Sequence, residues 1–113
     1  MLRRDFDRLM LEAVDESLSS LGDSAKQTIY FHLETTFNIK KGDIPHRIED
    51  FDDAMEKTFG LGFKFLEILI MKHLYEKVGQ MFRYKPKRHS RAHLVLTDYV
   101  KSARQSFLKK TKS

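Results

Sequence analysis

The sequence predicts an all-α protein, a small bundle of about five helices. Apolar residues recur at three- and four-residue spacings in five separate stretches. No stretch reads convincingly as a strand. Gly22, Gly42, Gly60 and Pro86 interrupt the periodicity where one helix must give way to the next.

The first stretch predicts a helix over about Leu2 to Leu21, with Phe6, Leu9, Met10, Ala13, Val14 and Leu21 on one face. Gly22 is a candidate C-cap, and Asp23-Ser24 offers an N-cap oxygen to a second helix, about Ala25 to Phe37. Its apolar face is Ile29, Tyr30, Leu33 and Phe37. Pro45 fits the first turn of a third helix, where its missing N–H costs nothing. Ile48, Phe51, Met55 and Phe59 form that helix's narrow stripe, and Glu49, Asp50, Asp52, Asp53 and Glu56 its acidic face. The fourth helix, about Leu61 to Phe82, is apolar nearly all round between Phe63 and Met71. One small bundle supplies too little cover for such a helix, which suggests a homodimer. Pro86 breaks the chain, and Ala92, Leu96, Tyr99 and Ala103 mark a last helix, about Ala92 to Leu108. Its narrow stripe suits packing against one partner helix.

Charge divides the chain. Residues 83–113 carry ten Lys/Arg and one acid, a net +9, whereas residues 1–82 carry a net −4. The expected organisation is a helical core over 1–82 and a basic loop and helix over 83–113. A basic block attracts polyanions. Arg83, Lys85, Lys87, Arg88, Arg91, Lys101, Arg104, Lys109 and Lys110 are therefore candidate nucleic-acid contacts, binding phosphates without regard to base sequence. An acidic protein partner is the alternative.

Residues 13–79 resemble a known family. The carriers are Ala13 to Gly22 (AVDESLSSLG), Ile29 to Glu34 (IYFHLE), Ile44-Pro45, Ile48 to Phe51 (IEDF) and Phe59 to Met71 (FGLGFKFLEILIM). This pattern of apolar positions and turns is similar to the Nitrosopumilus output domain of archaeal signalling proteins. The resemblance implies an all-helical regulatory module, and it carries over no functional residues.

The remaining residues exclude more than they specify. The absence of Cys removes disulfides, thiol chemistry and Cys-based metal sites. The N-terminus lacks a signal-peptide core, and the longest apolar run, Ile68 to Met71, is far short of a membrane span. A cytoplasmic protein is expected. His89 and His93 are spaced as helical metal ligands but lie among cations with no carboxylate near in sequence, so no metal is expected. Gly60, Gly62 and Lys64 form a candidate anion site at a helix start, although their spacing matches no nucleotide-binding motif. The plainer reading is a tight turn, with Gly62 allowing close packing. The acidic face of the third helix reads as wetted surface, or as a dock for the basic arm of a neighbouring chain. No catalytic motif is present, and no cofactor is implied.

Overall fold

The structure, a computed structural model, describes residues 2–79 and 96–112. All regular structure among the described residues is helical: α1 (Leu2–Ser19), α2 (Asp23–Phe37), α3 (Ile48–Phe59), α4 (Phe63–Leu74) and α5 (Leu96–Lys112). A 3₁₀ turn at Lys41–His46 leads to α3, another at Gly60–Gly62 joins α3 to α4, and a π turn at Tyr75–Gly79 follows α4.

α1 and α4 make the most extensive contact of the fold. Phe6, Met10, Ala13, Val14, Ser17 and Leu18 of α1 are buried. Ser17 is tolerated there because its hydroxyl donates to Ala13 O at 2.7 Å, which leaves no donor unmet. The predicted stripe omitted Leu18, which is in the core, and included Leu21, which is about half exposed. α1 ends before Leu21 can join its face.

Gly22 sits at φ 102°, so a conformation that L residues rarely adopt separates α1 from α2. Asp23 is the first residue of α2, and no side chain caps that helix. Asp23 instead places its charge at the positive end of the helix dipole. At the other end, Asn38 takes the left-handed conformation and turns its N–H back to Leu33 O. Ile39 does the same at 2.9 Å and is buried.

α3 begins at Ile48, later than Pro45 suggested. Pro45 lies within the preceding 3₁₀ turn, buried beside Ile44. α3 turns Ile48, Phe51, Ala54 and Met55 inward. α4 buries Phe63, Leu66, Glu67, Ile70, Met71 and Leu74. The Phe51 and Phe63 rings meet edge to face at 6.1 Å. Burying each of these rings contributes about 1.5–3 kcal/mol.

α5 inserts Leu96, Tyr99, Val100, Ala103 and Phe107 into the same core. It packs on α1, α3 and α4 together rather than on one partner helix. A stripe with bulky residues at both edges and Ala103 between them fills a valley between helices. Phe107 lies 5.7 Å from Phe6, so the last helix rests on the first.

Candidate interaction surface

α4 is apolar on both faces, but the fold covers only one. Gly62, Phe63 and the residues after them wind so that Phe63, Leu66, Ile70 and Leu74 enter the core. The same winding sends Lys64, Phe65, Ile68 and Lys72 outward. Leu61 is 84% exposed, Phe65 80% and Ile68 64%. Three large apolar side chains thus form a ridge from the 3₁₀ turn onto α4.

A groove lies beside it, between α2 and α3. Leu21, Ile29, Leu33, Met55 and Phe59 supply its apolar lining, and its volume is about 650 Å³. Ser24, Thr28, His32 and Thr58 add polar groups but no carboxylate, Lys or Arg. The Thr58 hydroxyl already donates to Ala54 O at 2.8 Å. Groove and ridge meet at Phe59, which lines the groove and also lies against Gly62. A Cβ built on Gly62 would stand 4.0 Å from Phe59 Cβ.

The turn between them offers less to an anion than its glycines promised. Gly60 N–H is bonded to Glu56 O, and Phe63 N–H returns to Gly60 O. Two of the donors that would hold an anion are therefore spent within the turn. Lys64 is exposed. Gly60, at φ 59° and ψ −134°, is glycine for conformational reasons. Gly62, at φ −62° and ψ −25°, has ordinary helical geometry and room for a side chain, so the close packing expected of it is not what it provides.

Of the nine basic candidates, Arg83, Lys85, Lys87, Arg88 and Arg91 lie outside the described residues, as do His89 and His93. Lys109 and Lys110 are in the last turns of α5, and their side chains are not among those described. Lys101 and Arg104 are described, and both face acids of the core. Lys101 pairs with Glu49 of α3 at the surface. Arg104 Nη2 lies 3.3 Å from Asp7 Oδ1 and also donates to Pro45 O. Its guanidinium stands 5.1 Å above the Phe6 ring, and three quarters of its side chain is covered. Arg104 therefore ties α5 to α1 and to the 3₁₀ turn.

The acidic face of α3 is not wet throughout. Asp52 is half-buried beneath α5, close to the buried Glu67 of α4. Glu67 Oε2 accepts the Leu96 N–H at 3.2 Å, and Asp52 Oδ2 accepts the Thr97 hydroxyl at 3.2 Å. Two carboxylates thus meet the first described turn of α5, Glu67 at a backbone N–H and Asp52 at a side-chain hydroxyl. Asp52 Oδ1 is buried and has no hydrogen-bond partner among the described residues. Burial first, and then the Glu67 and Glu56 charges, push the Asp52 carboxyl up to about 6. Sequence reasoning missed this pair because its members lie on different helices.

A second charged surface runs along α1. Asp15 accepts from Tyr30 at 3.0 Å and pairs with Lys26 and Lys41 at 3.3 Å each. Burial raises its carboxyl, but these three partners outweigh it and hold Asp15 below the usual carboxylate range. Lys77 pairs with Glu16 at 2.8 Å and with Glu12 at 3.6 Å. The acids Glu12, Asp15 and Glu16 on this face of α1 thus each have a basic partner within the chain.

Among the described residues, no group of three or more His, Cys, Asp or Glu is placed to hold a metal ion. No helix among them is long and apolar enough to cross a membrane. No family model matches the chain, and neither a curated protein nor a solved structure matches it significantly.

Proposed function

We propose that this chain is a helical interaction module of the regulatory output type, which works by docking protein on its ridge and groove. The exposure of Leu61 in the turn, and of Phe65 and Ile68 on the helix that follows, whose reverse is core, carries the reading. Contiguous apolar patches of this kind mark binding sites on soluble proteins. The resemblance of residues 13–79 to the archaeal output domain supports a place in signalling as an adaptor. The test replaces Lys64 with a photo-crosslinking amino acid in the native cells. Discrete crosslinked protein bands are expected, and they should disappear when Phe65→Ser is added. An absence of bands that depend on Phe65 sinks the proposal.

Nucleic-acid contact through the basic arm is the second reading, supported by the +9 charge of residues 83–113. Lys101 suits it, since an exposed pair with Glu49 exchanges readily for a phosphate. Arg104 suits it less, being committed to Asp7 and Pro45. Fluorescence anisotropy of labelled duplex DNA and single-stranded RNA over a salt series decides. The logarithm of affinity should fall with a slope of about −0.9 per phosphate contacted on duplex DNA. Replacing Lys85, Lys87, Arg88 and Arg91 by Gln should abolish it. No binding at low salt removes this reading and leaves the adaptor.

A further inference from the structure

We infer that ridge and groove are two halves of one interface and that their occupant is a second copy of this chain. Leu61, Phe65 and Ile68 of each copy seat in the α2–α3 groove of the other, about a two-fold axis. The inference rests on the docking reading above and names its partner.

Continuity is the first argument. A two-fold interface requires both complementary halves on one side of the molecule, because each copy must give and receive at once. Phe59 supplies that continuity: it lines the groove, and its Cβ lies beside Gly62, where the ridge begins. The axis would pass close to Phe59–Gly60–Leu61.

Chemistry is the second. Ridge and groove are both apolar at their centres, and no carboxylate, Lys or Arg lines the groove. Only Lys64 and Lys72, beside the ridge, must therefore stay at the rim of the joint. Phe65 and Ile68 stand at i and i+3 on α4, one face of the kind a helix lays into a groove, and Leu61 precedes them in the turn. A polar small molecule would find little to orient it, since the Thr58 hydroxyl is already engaged.

Area is the third. At their observed exposures, Leu21, Phe59, Leu61, Phe65 and Ile68 present on the order of 600 Å², given about 150–250 Å² for a bare aromatic side chain. That is at the upper limit of what a lone soluble domain exposes in one patch. With its polar rim it approaches the roughly 800 Å² that each partner contributes to a standard interface.

The reciprocal geometry allows a complementation test by analytical ultracentrifugation of the full chain. Wild type should sediment as a dimer. Phe65→Lys breaks the ridge and Thr28→Glu breaks the groove. Each alone spoils both contacts of a two-fold dimer and should raise the dissociation constant at least about thirtyfold, the scale of an interface hot spot. Mixing the two variants restores one native ridge–groove contact and sets the introduced lysine against the introduced glutamate in the other. The mixture should therefore form a heterodimer. Both positions are exposed, and an unchanged circular dichroism spectrum confirms that each variant is folded.

A wild-type chain that stays monomeric into the millimolar range overturns the inference. So does a dimer indifferent to both substitutions, which would place the contact elsewhere. A dimer broken by Phe65→Lys but not by Thr28→Glu, with no rescue on mixing, means that ridge meets ridge and also overturns it. Crosslinks from position 64 to other proteins, in a chain that is itself monomeric, would sink the second copy and keep the docking module. If the chain is monomeric and no crosslink depends on Phe65, both fall.

Discussion

Asp52 holds its carboxylate beside that of Glu67, under the first described turn of α5, with one oxygen lacking a donor among the described residues. A proton on Asp52 relieves both the repulsion and the missing bond. Its carboxyl titrates at about 6 in the folded chain and at an ordinary value near 3.8 when unfolded. The folded state therefore binds this proton more tightly, and the stabilisation is complete below pH 3.8 and lost as pH rises through about 6. Chemical denaturation should show stability falling by about 1–2 kcal/mol between pH 4 and pH 7 from this group, the partial exposure of Asp52 reducing the full linkage value. Asp52→Asn supplies a permanent donor and should flatten that fall while keeping stability at pH 7.5 at or above wild type. A fall of equal size in the variant would assign the dependence to other groups. Asp15 acts in the opposite sense: its carboxyl is held low, so its contribution is lost as the pH drops below about 3.8. The glycines make a second comparison at this scale. Gly60→Ala forces an L residue to φ 59°, ψ −134° and should cost about 1–3 kcal/mol. Gly62→Ala, at ordinary helical angles, should be neutral or stabilise by up to about 1 kcal/mol in the same urea titration.

At the scale of the element, α5 is held by two cations of different weight. Lys101 reaches Glu49 in open solvent, and both side chains are more than half exposed. Lys101→Met should change stability by less than about 0.5 kcal/mol. Arg104 lies between α1, the 3₁₀ turn and the Phe6 ring, and Asp7 beneath it is largely covered. Arg104→Met should cost about 2 kcal/mol, because among the described residues the largely covered Asp7 then keeps His46 alone as a partner. Urea denaturation of the two variants measures the difference, and equal losses would mean that Arg104 is no anchor. Both residues belonged to one basic candidate set, and their sequence neighbourhoods do not tell them apart. What separates them is which acid, at 52 and 97 residues' distance, stands opposite.

The same limit decides how much of the whole molecule was legible. Helical periodicity located the five helices and most of their inward residues, because burying an apolar face is a local pattern with a global cause. Phe6, Met10, Leu33, Phe51, Leu96 and Ala103 all lie where that pattern puts them. It also marked α4 as too apolar for one bundle to cover, and the single chain does leave Phe65 and Ile68 bare. It did not reveal that Glu67 and Ser17 are buried, or that Asp52 leaves the wet face of α3. Each of these polar groups is admitted by a partner that only the folded chain supplies. Nor did it place the start of α3, because Pro45 suits a 3₁₀ turn as well as a first helical turn. The role of α5 follows from the shared core: a chain ending after residue 95 loses Leu96, Val100, Ala103 and Phe107 from it. Such a chain should unfold without a cooperative thermal transition, as calorimetry would show, and a sharp transition would mean that α1 to α4 are self-sufficient. Nucleic-acid binding is therefore better tested by neutralising charge than by truncation.

The contact between Phe6 and Phe107 also has a history within each molecule's synthesis. The two rings are roughly a hundred residues apart in sequence. At about 5–20 residues per second, the first helix leaves the ribosome some 5–20 s before its last partner exists. During that interval Phe6, Met10 and Val14 have only part of their cover, whatever α2 to α4 have already formed. The order of translation thus leaves α1 waiting longer for α5 than any other helix of the fold does.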